Sequence, residues 1–260
     1  MNFVFFIRPC FFSKRMTIEI KLANTRVRLS LRLPETKRYF SSFISRDDCS
    51  GWDVRIEEKD IAKYPLICPT GILDPFSEAY LLMPRVSAFI LRKQCVLIHG
   101  VAFIWQGHAW LMTAPSGTGK TTQLHLLQKI LGDEMALING DKAILSLHKN
   151  GEFWLHPSPW TGKENEYGSS SGVLAGIIIL EQNDTNSMSL LSPRESVLKV
   201  FQQFLIADSS EEELRIVGEL ESKLLKTIPI WCLKNRGDIE SAQLMIHILN
   251  DYEAIKDEEV

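Results

Sequence analysis

A loop near the middle of the chain has the residue types that bind phosphate groups. Ala114–Thr121 reads APSGTGKT, which matches the P-loop (Walker A) pattern GxxxxGK[ST] except that alanine replaces the first glycine. Glycines let the backbone turn its N–H groups toward phosphate oxygens, the lysine reaches the β- and γ-phosphates, and the threonine hydroxyl can ligate Mg²⁺. The predicted nucleotide contacts are Pro115, Ser116, Gly117, Thr118, Gly119, Lys120, Thr121 and Thr122.

The segments that flank this loop favour phosphate binding over the alternative, a glycine-rich surface turn that binds nothing. Ala109–Thr113 is an apolar run of strand length. Thr122–Leu131 has leucines at helical spacing, and Gly132 is a helix stop signal. Strand, loop and helix in this order place an anion site at a helix N-terminus.

An acidic residue follows the next apolar strand. Ala136–Ile138 leads into Asn139-Gly140-Asp141, so Asp141 would lie at a strand end beside the loop. That is where a Mg²⁺-holding carboxylate is needed, and Asp141 is the predicted metal ligand, with Thr121, and a catalytic candidate, with Lys120. The alternative is a turn aspartate, because Asn-Gly is a common hairpin signal.

Two further groups are candidates for the site. The segment His156–Glu164 contains two prolines and a glycine, which fix a loop that carries Trp160, Lys163 and Glu164. We expect these three to contact the acceptor, with Lys163 also adding positive charge on the transferred phosphoryl group; a merely charged surface loop is the alternative. His99 follows an apolar strand and is either catalytic or a satisfied structural histidine.

Composition limits the classes of partner. The 260 residues are 45% hydrophobic and 23% charged, with a net charge of -3, which gives no reason to expect nucleic acid or an anionic membrane surface. The five cysteines are scattered and never spaced as CxxC, which argues against a disulfide framework and a zinc site. We therefore expect reduced thiols in a cytoplasmic protein.

The chain changes character along its length. Residues 1–15 are rich in phenylalanine, and we expect either a leader or a mis-assigned start, with Met16 as the natural one. Residues 16–75 show apolar–polar alternation and predict a small β-rich region, and residues 76–255 predict an ATP-binding domain. Its later part is mainly helical: helices are predicted after Ser192, over 211–226 and after Asp238.

These residues together resemble a known family. His99-Gly100-Val101, Gly107 and Ser116–Thr121 look like the core of bacterial HPr kinase/phosphorylase, and the loop is also similar to that of ATP-dependent phosphoenolpyruvate carboxykinase. Small HPr-kinase-like proteins carry elements similar to 139–142, 159–164 and 178–182. The resemblance spans about residues 95–205. It implies an α/β fold with a carboxykinase-like P-loop core around a strongly bent mixed sheet, preceded by the small β-rich region.

The resemblance implies an ATP- and Mg²⁺-dependent kinase that transfers the γ-phosphoryl group to a serine-like hydroxyl of a peptide, protein or metabolite. Two departures qualify it. Gly140 stands where those families have the first of two adjacent aspartates, so Asp141, His99 or Glu164 would have to serve the acceptor. The C-terminal signature that engages HPr is missing, so HPr is not the expected target. The alternatives are a nucleotide-binding accessory module without efficient transfer and, disfavoured by the short chain, a carboxykinase-type metabolic enzyme. The sequence is compatible with a homo-oligomer and does not indicate the oligomeric state.

Overall fold

The computed structural model describes residues 15–46, 53–69, 71–162, 166–207 and 209–258. Residue contacts divide the chain into two compact units. The first comprises Met1–Lys21 and Arg26–Val86, and the second comprises Leu22–Thr25 and Ser87–Val260. The expected leader, apart from Arg15, lies outside the described residues, and the boundary expected near residue 75 stays a prediction.

The first unit contains a small three-stranded sheet. Strands β1 (Met16–Leu22), β2 (Thr25–Leu31) and β3 (Asp53–Val54) form it in that order, with β2 and β3 parallel. Buried Ile18, Ile20 and Leu22 alternate with more exposed neighbours, so the alternation predicted for β1 is confirmed. A 3-10 helix over Pro34–Phe43 and helix α1 (Glu58–Lys63) complete the connections.

Helix α2 (Pro75–Leu91) begins in the first unit and contains Pro84 in its interior. Its Glu78 is fully buried, and its carboxylate accepts hydrogen bonds from the N–H groups of Arg32 and Leu33 and from the Thr36 hydroxyl, at 2.6, 3.0 and 2.7 Å. A buried carboxylate is tolerated when several donors satisfy it. This contact fixes the end of β2 to α2.

The second unit is a mixed α/β structure with a nine-stranded sheet. The order along the sheet is β4-β8-β9-β10-β6-β5-β7, and β12 adds to β10 and β11 to β12. The strands are β4 (Cys95–His99), β5 (Val101–Trp105), β6 (His108–Thr113), β7 (Met135–Asn139), β8 (Lys142–Leu147), β9 (Phe153–His156), β10 (Gly172–Gln182), β11 (Ser187–Leu190) and β12 (Ile230–Asn235).

Strand β10 joins the two halves of this sheet. Its start, Gly172 and Val173, pairs with β9, and its later residues pair with β6 on one side and β12 on the other. Both later pairings are parallel, so β6, β10 and β12 end at the same edge of the sheet. Parallel strands are usually buried on both faces, and Leu174–Leu180 is buried throughout.

The helices described in the second unit begin near signals that the sequence carries, but the last one, predicted over 238–249, extends to Glu258. They are α3 (Lys120–Leu131), α4 (Pro193–Phe201), α5 (Glu211–Thr227) and α6 (Ile239–Glu258). Ser192 and Glu195 form the capping box that opens α4, and Asp238 accepts a hydrogen bond from the N–H of Ser241 at 2.9 Å as α6 begins. No helix in the described ranges has both the length and the apolar character that a membrane crossing requires.

Candidate functional site: the glycine loop and its acidic partner

The predicted strand–loop–helix arrangement is confirmed. Strand β6 ends at Thr113, and helix α3 begins at Lys120. Gly117 and Gly119 lie between them with φ of +82° and +98°, a region of backbone conformation that favours glycine. The first hydrogen bond along α3 runs from the Gln123 N–H to the Gly119 carbonyl at 2.9 Å. The backbone N–H groups that precede Gln123 in the first helical turn therefore make no helical hydrogen bond, and they are available to bind an anion.

The ammonium of Lys120 lies along the loop. Its Nζ donates to the carbonyl of Ala114 at 2.8 Å and to that of Pro115 at 3.2 Å. The residue is 9% exposed. Burial lowers the pKa of this ammonium, the carboxylate of Asp141 acts in the opposite direction, and Lys142 lowers it further.

A second contact fixes the start of α3. Gln123 is fully buried, and its Oε1 accepts a hydrogen bond from the Ser241 hydroxyl at 3.0 Å. The same hydroxyl also lies 2.6 Å from the carbonyl of Asp238, at the start of α6. This contact fixes the first turn of α3 to the segment that follows β12.

His99 lies where the glycine loop leaves the sheet. Its backbone carbonyl accepts a hydrogen bond from the Thr113 hydroxyl, at the end of β6, at 2.5 Å. The next residue must be glycine, because a Cβ on Gly100 would lie 2.9 Å from both the Leu111 side chain and the Met112 carbonyl. This close approach brings the end of β4 against the end of β6.

Asp141 is held between β7 and β8 beside His99. Its Oδ1 lies 3.4 Å from His99 Nε2, and its Oδ2 accepts a hydrogen bond from Lys142 Nζ. The Gly100 N–H donates to the Asp141 carbonyl at 2.8 Å. Burial raises the pKa of the Asp141 carboxyl, but the hydrogen bonds from His99 and Lys142 outweigh that effect, and the net pKa is lowered. The carboxylate is therefore charged at neutral pH.

The turn that presents Asp141 is fixed from behind by a buried amide. Asn139 Oδ1 accepts from the N–H groups of Asp141 and Lys142 at 2.9 and 2.7 Å, and its Nδ2 donates to the Ser158 carbonyl at 3.0 Å. The Ser158 hydroxyl donates in turn to the Lys142 carbonyl. These bonds explain why an asparagine precedes Gly140 here: it orients the acidic turn and fixes it to the proline loop, 157–162.

The predicted acceptor contacts in and just after the proline loop differ in placement. Trp160 is 1% exposed, so its indole packs in the interior and favours a structural role over contact with an acceptor. Lys163 and Glu164 lie outside the described residues, and their assignments stay predictions. Gly162 is described, with φ +73°, and a Cβ there would lie 3.0 Å from Asp141 Oδ2. The loop thus approaches the acidic group through a glycine.

Two of the cavities lined by described residues adjoin the glycine loop, and both include Thr118 and Gln182 in their lining. The larger, about 550 Å³, is hereafter the Arg236 cavity. It is lined by Thr118, Gly119, Thr122, Gln182, Asn183, Asp184, Asn235, Arg236 and Gly237. The smaller, about 340 Å³, is hereafter the Lys199 cavity. It is lined by Pro115, Thr118, Ile179, Leu180, Glu181, Gln182, Lys199, Gln202 and Gln203. The end of β10 lines both cavities, and the end of β12 lines the Arg236 cavity.

The Lys199 cavity is connected to the acidic turn. Gln203 Oε1 lies 3.3 Å from His99 Nδ1, and the other ring nitrogen of His99 faces Asp141. Gln203 Nε2 donates to the Lys199 carbonyl at 3.3 Å, which orients its Oε1 toward the imidazole. In the cavity itself, Lys199 Nζ forms an ion pair with Glu181, and the Lys199 hydrogen bond is the main reason that the pKa of Glu181 is lowered.

The donor set for a divalent ion consists of oxygen atoms. Within the described ranges, no group of three or more His, Cys, Asp or Glu residues could hold a metal ion. Protein sites hold Mg²⁺ with one or two carboxylates together with substrate phosphates. The Thr121 hydroxyl and the Asp141 carboxylate supply oxygen atoms of the kind that Mg²⁺ binds. Both Asp141 oxygens already face nitrogen donors, so Lys142 or His99 would have to give way.

Sequence reasoning did not assign Glu181, Lys199, Gln203 or Arg236 to the site. Glu181 and Arg236 carry a detectable signal, since each stands at the end of an apolar strand, where ligands of parallel sheets bind. Lys199 and Gln203 reach the site through the packing of α4, which no local pattern reveals.

Comparison with known proteins gives limited information. No family model matches the chain, and no curated protein does. Among solved structures, the chain is similar to the Hpr(Ser) kinase/phosphatase from Coxiella burnetii, with 11% sequence identity and a TM-score of 0.35. The match covers 63% of this chain and 96% of that one. A match with this TM-score and sequence identity supports no conclusion about the fold or activity of the chain.

Proposed function

We propose that the chain is an ATP- and Mg²⁺-dependent phosphotransferase that transfers the γ-phosphoryl group to a hydroxyl, built on a carboxykinase-like P-loop core. The observation that carries the proposal is that His99 joins the glycine loop to the acidic turn: its carbonyl accepts a hydrogen bond from Thr113, where β6 ends before the loop, and its imidazole lies 3.4 Å from Asp141. Phosphoryl transfer needs positioning and charge stabilisation more than covalent chemistry, and these groups supply both.

Each residue has a role in this mechanism. The amides from Ser116 to Thr121 bind the β-phosphate, and Lys120 neutralises charge between the β- and γ-phosphates. Thr121 and Asp141 would hold Mg²⁺, whose chemistry is to offset charge on the phosphates. His99, in contact with Asp141 at 3.4 Å, orients that carboxylate toward the acceptor hydroxyl.

A nucleotide-binding module without efficient transfer is the second candidate, favoured by Gly140. Its N–H donates to the Glu166 carbonyl at 3.0 Å, and a Cβ at Gly140 would lie 3.1 Å from that oxygen. A second aspartate is therefore not accommodated without movement of the backbone. Asp141 must then serve the metal and the acceptor together, which favours slow turnover.

The test compares ATP binding and γ-phosphate transfer for the wild type, Lys120→Ala and Lys129→Ala. Lys129 is an exposed lysine in the last turn of the same helix and serves as the matched control. We expect Lys120→Ala to reduce transfer by about 100-fold or more and Lys129→Ala to leave it unchanged. Tight ATP binding by a wild type that labels no acceptor in peptides, metabolites or cell extract would support the accessory module instead.

A further inference from the structure

The two ends of the glycine loop are chemically distinct, and this difference indicates which cavity would hold the nucleoside and which the acceptor. A P-loop lysine reaches the β- and γ-phosphates. Lys120 Nζ lies on the carbonyls of Ala114 and Pro115, so the Pro115 end of the loop is the γ-phosphate end. Both cavities are lined by Thr118 and Gln182, but the Lys199 cavity extends to Pro115, whereas the Arg236 cavity extends to Thr122, on the first turn of α3. The nucleoside therefore belongs to the Arg236 cavity and the acceptor to the Lys199 cavity.

The Lys199 cavity also adjoins the groups that orient an acceptor. Gln203 lines it and contacts His99, which contacts Asp141. An acceptor hydroxyl beside Gln203 would therefore be linked to the acidic turn through His99.

The groups that line the Lys199 cavity define the chemistry of its occupant. It offers one ammonium, Lys199, and one carboxylate, Glu181, whose side chains are 40% and 35% exposed. An ammonium has three donors and a carboxylate about four acceptor positions, so the pair can bind further charged groups without separating. Gln182 and Gln202 add exposed carboxamides.

We propose that the Lys199 cavity is the acceptor subsite and takes a small hydroxy-amino-acid unit, with its carboxylate on Lys199 and its ammonium on Glu181. The volume of about 340 Å³ lies at the small end of the range for small-molecule sites, which suits such a unit. This assignment rests on the proposed phosphotransferase function. The same chemistry is available from a free amino acid or from the end of a peptide.

The transfer step is balanced. The acceptor's hydroxyl oxygen forms a bond to the γ-phosphorus while the bond from that phosphorus to the β–γ bridging oxygen breaks. ADP leaves with that electron pair, and the hydroxyl proton passes to the Asp141 carboxylate and then to water.

The experiment supplies the purified full-length chain with γ-labelled ATP, Mg²⁺ and four matched acceptors: L-serine, L-serinamide, N-acetyl-L-serine and N-acetyl-L-serinamide. The three derivatives lack the carboxylate, the ammonium or both. We expect kcat/KM to be highest for L-serine and at least about 10-fold lower for the doubly blocked compound. The dipeptides Gly-Ser and Ser-Gly then distinguish a peptide end from the free amino acid.

Variants identify which residue recognises which charge. Lys199→Gln should remove the preference for L-serine over L-serinamide, and Glu181→Gln should remove the preference over N-acetyl-L-serine. Lys226→Gln, at an exposed lysine on α5, should change neither. The wild-type panel needs no variant, so a variant that fails to fold does not decide the outcome.

The outcomes separate the two proposals. Equal labelling of all four compounds, or variants that keep the wild-type preferences, would overturn the acceptor assignment. A wild type that binds ATP and labels other hydroxyl compounds but none of these would also overturn it and leave the phosphotransferase proposal standing. Failure to bind ATP would overturn both.

Discussion

Gly162 approaches Asp141 so closely that a Cβ at that position would lie 3.0 Å from Oδ2 of the carboxylate. The proline loop and the acidic turn are thus in direct contact, and they are joined a second time through Asn139 and Ser158. The placement of the proposed catalytic carboxylate therefore depends on a loop about twenty residues further along the chain.

This contact gives the first prediction. Gly162→Ala should displace the Asp141 carboxylate and reduce phosphoryl transfer by about 10-fold or more, because a small misplacement at a reacting centre is costly. Gly151→Ala is the matched control, since Gly151 also has a positive φ, +90°, but nothing lies within 4 Å of its Cβ position. Both variants should lose about 1 kcal/mol of unfolding free energy from backbone strain. Equal transfer rates in the two variants would contradict the role of the contact.

Asp141 should contribute stability that depends on pH. Its pKa in the folded chain is lowered below the ordinary 3.8. The contribution is then fully present above about pH 4 and is lost as pH falls through the lowered folded value. Urea unfolding of the wild type and Asp141→Asn should show a difference at about pH 7 that shrinks at about pH 3. The exposed Asp133→Asn is the control, and a difference that stays constant with pH would count against the ion pairs.

Glu221 should destabilise the chain at alkaline pH. It is 5% exposed on α5, its Oε1 has no hydrogen-bond partner among the residues that the structure describes, and burial raises its pKa from 4.5 to about 7. A raised folded pKa means that stability is lost as pH rises from about 4.5 through about 7. Glu221→Gln should therefore raise the unfolding free energy by roughly 1–3 kcal/mol at about pH 8 and by little at about pH 5. Glu134→Gln, at an exposed glutamate, is the control and should leave the unfolding free energy unchanged at both pH values.

His156 should destabilise the chain in mild acid. Both ring nitrogens contact hydroxyls, Nε2 with Ser146 at 2.8 Å and Nδ1 with Ser171 at 2.9 Å, and burial lowers the pKa to about 4. The unfolded chain takes up a proton near pH 6.5 and the folded chain does not, so stability falls as pH drops from about 6.5 to about 4, by at most about 3 kcal/mol. His156→Gln should flatten this dependence relative to the exposed His125→Gln. An unchanged pH slope would show that His156 is charged in the folded chain.

Local signals predict most of the second unit. The glycine loop with its strand and helix, the capping box at Ser192 and the start of α6 at Asp238 all depend on residues close in sequence, and the structure has each of them. The short strands β9 and β11 and the 3-10 helix over Pro34–Phe43 were not predicted, because such brief elements carry no periodic pattern.

The candidate site was only partly accessible from the sequence. Asp141 and His99 could be proposed because each stands at a strand end, but their contact with each other depends on how β4 pairs with β8. The Lys199–Glu181 pair joins residues 18 positions apart on a helix and a strand, and only tertiary packing brings them together. The burial of Trp160 is likewise a property of packing that a proline-rich loop does not reveal.

The shared strand β10 has a consequence for how the second unit unfolds. Because one continuous backbone segment supplies hydrogen bonds to β9, β6 and β12, neither half of the sheet can open while the other stays intact at that strand. Amide hydrogens in the middle of β10 should therefore exchange with solvent only through global unfolding, and their exchange rates should report the full stability of the unit.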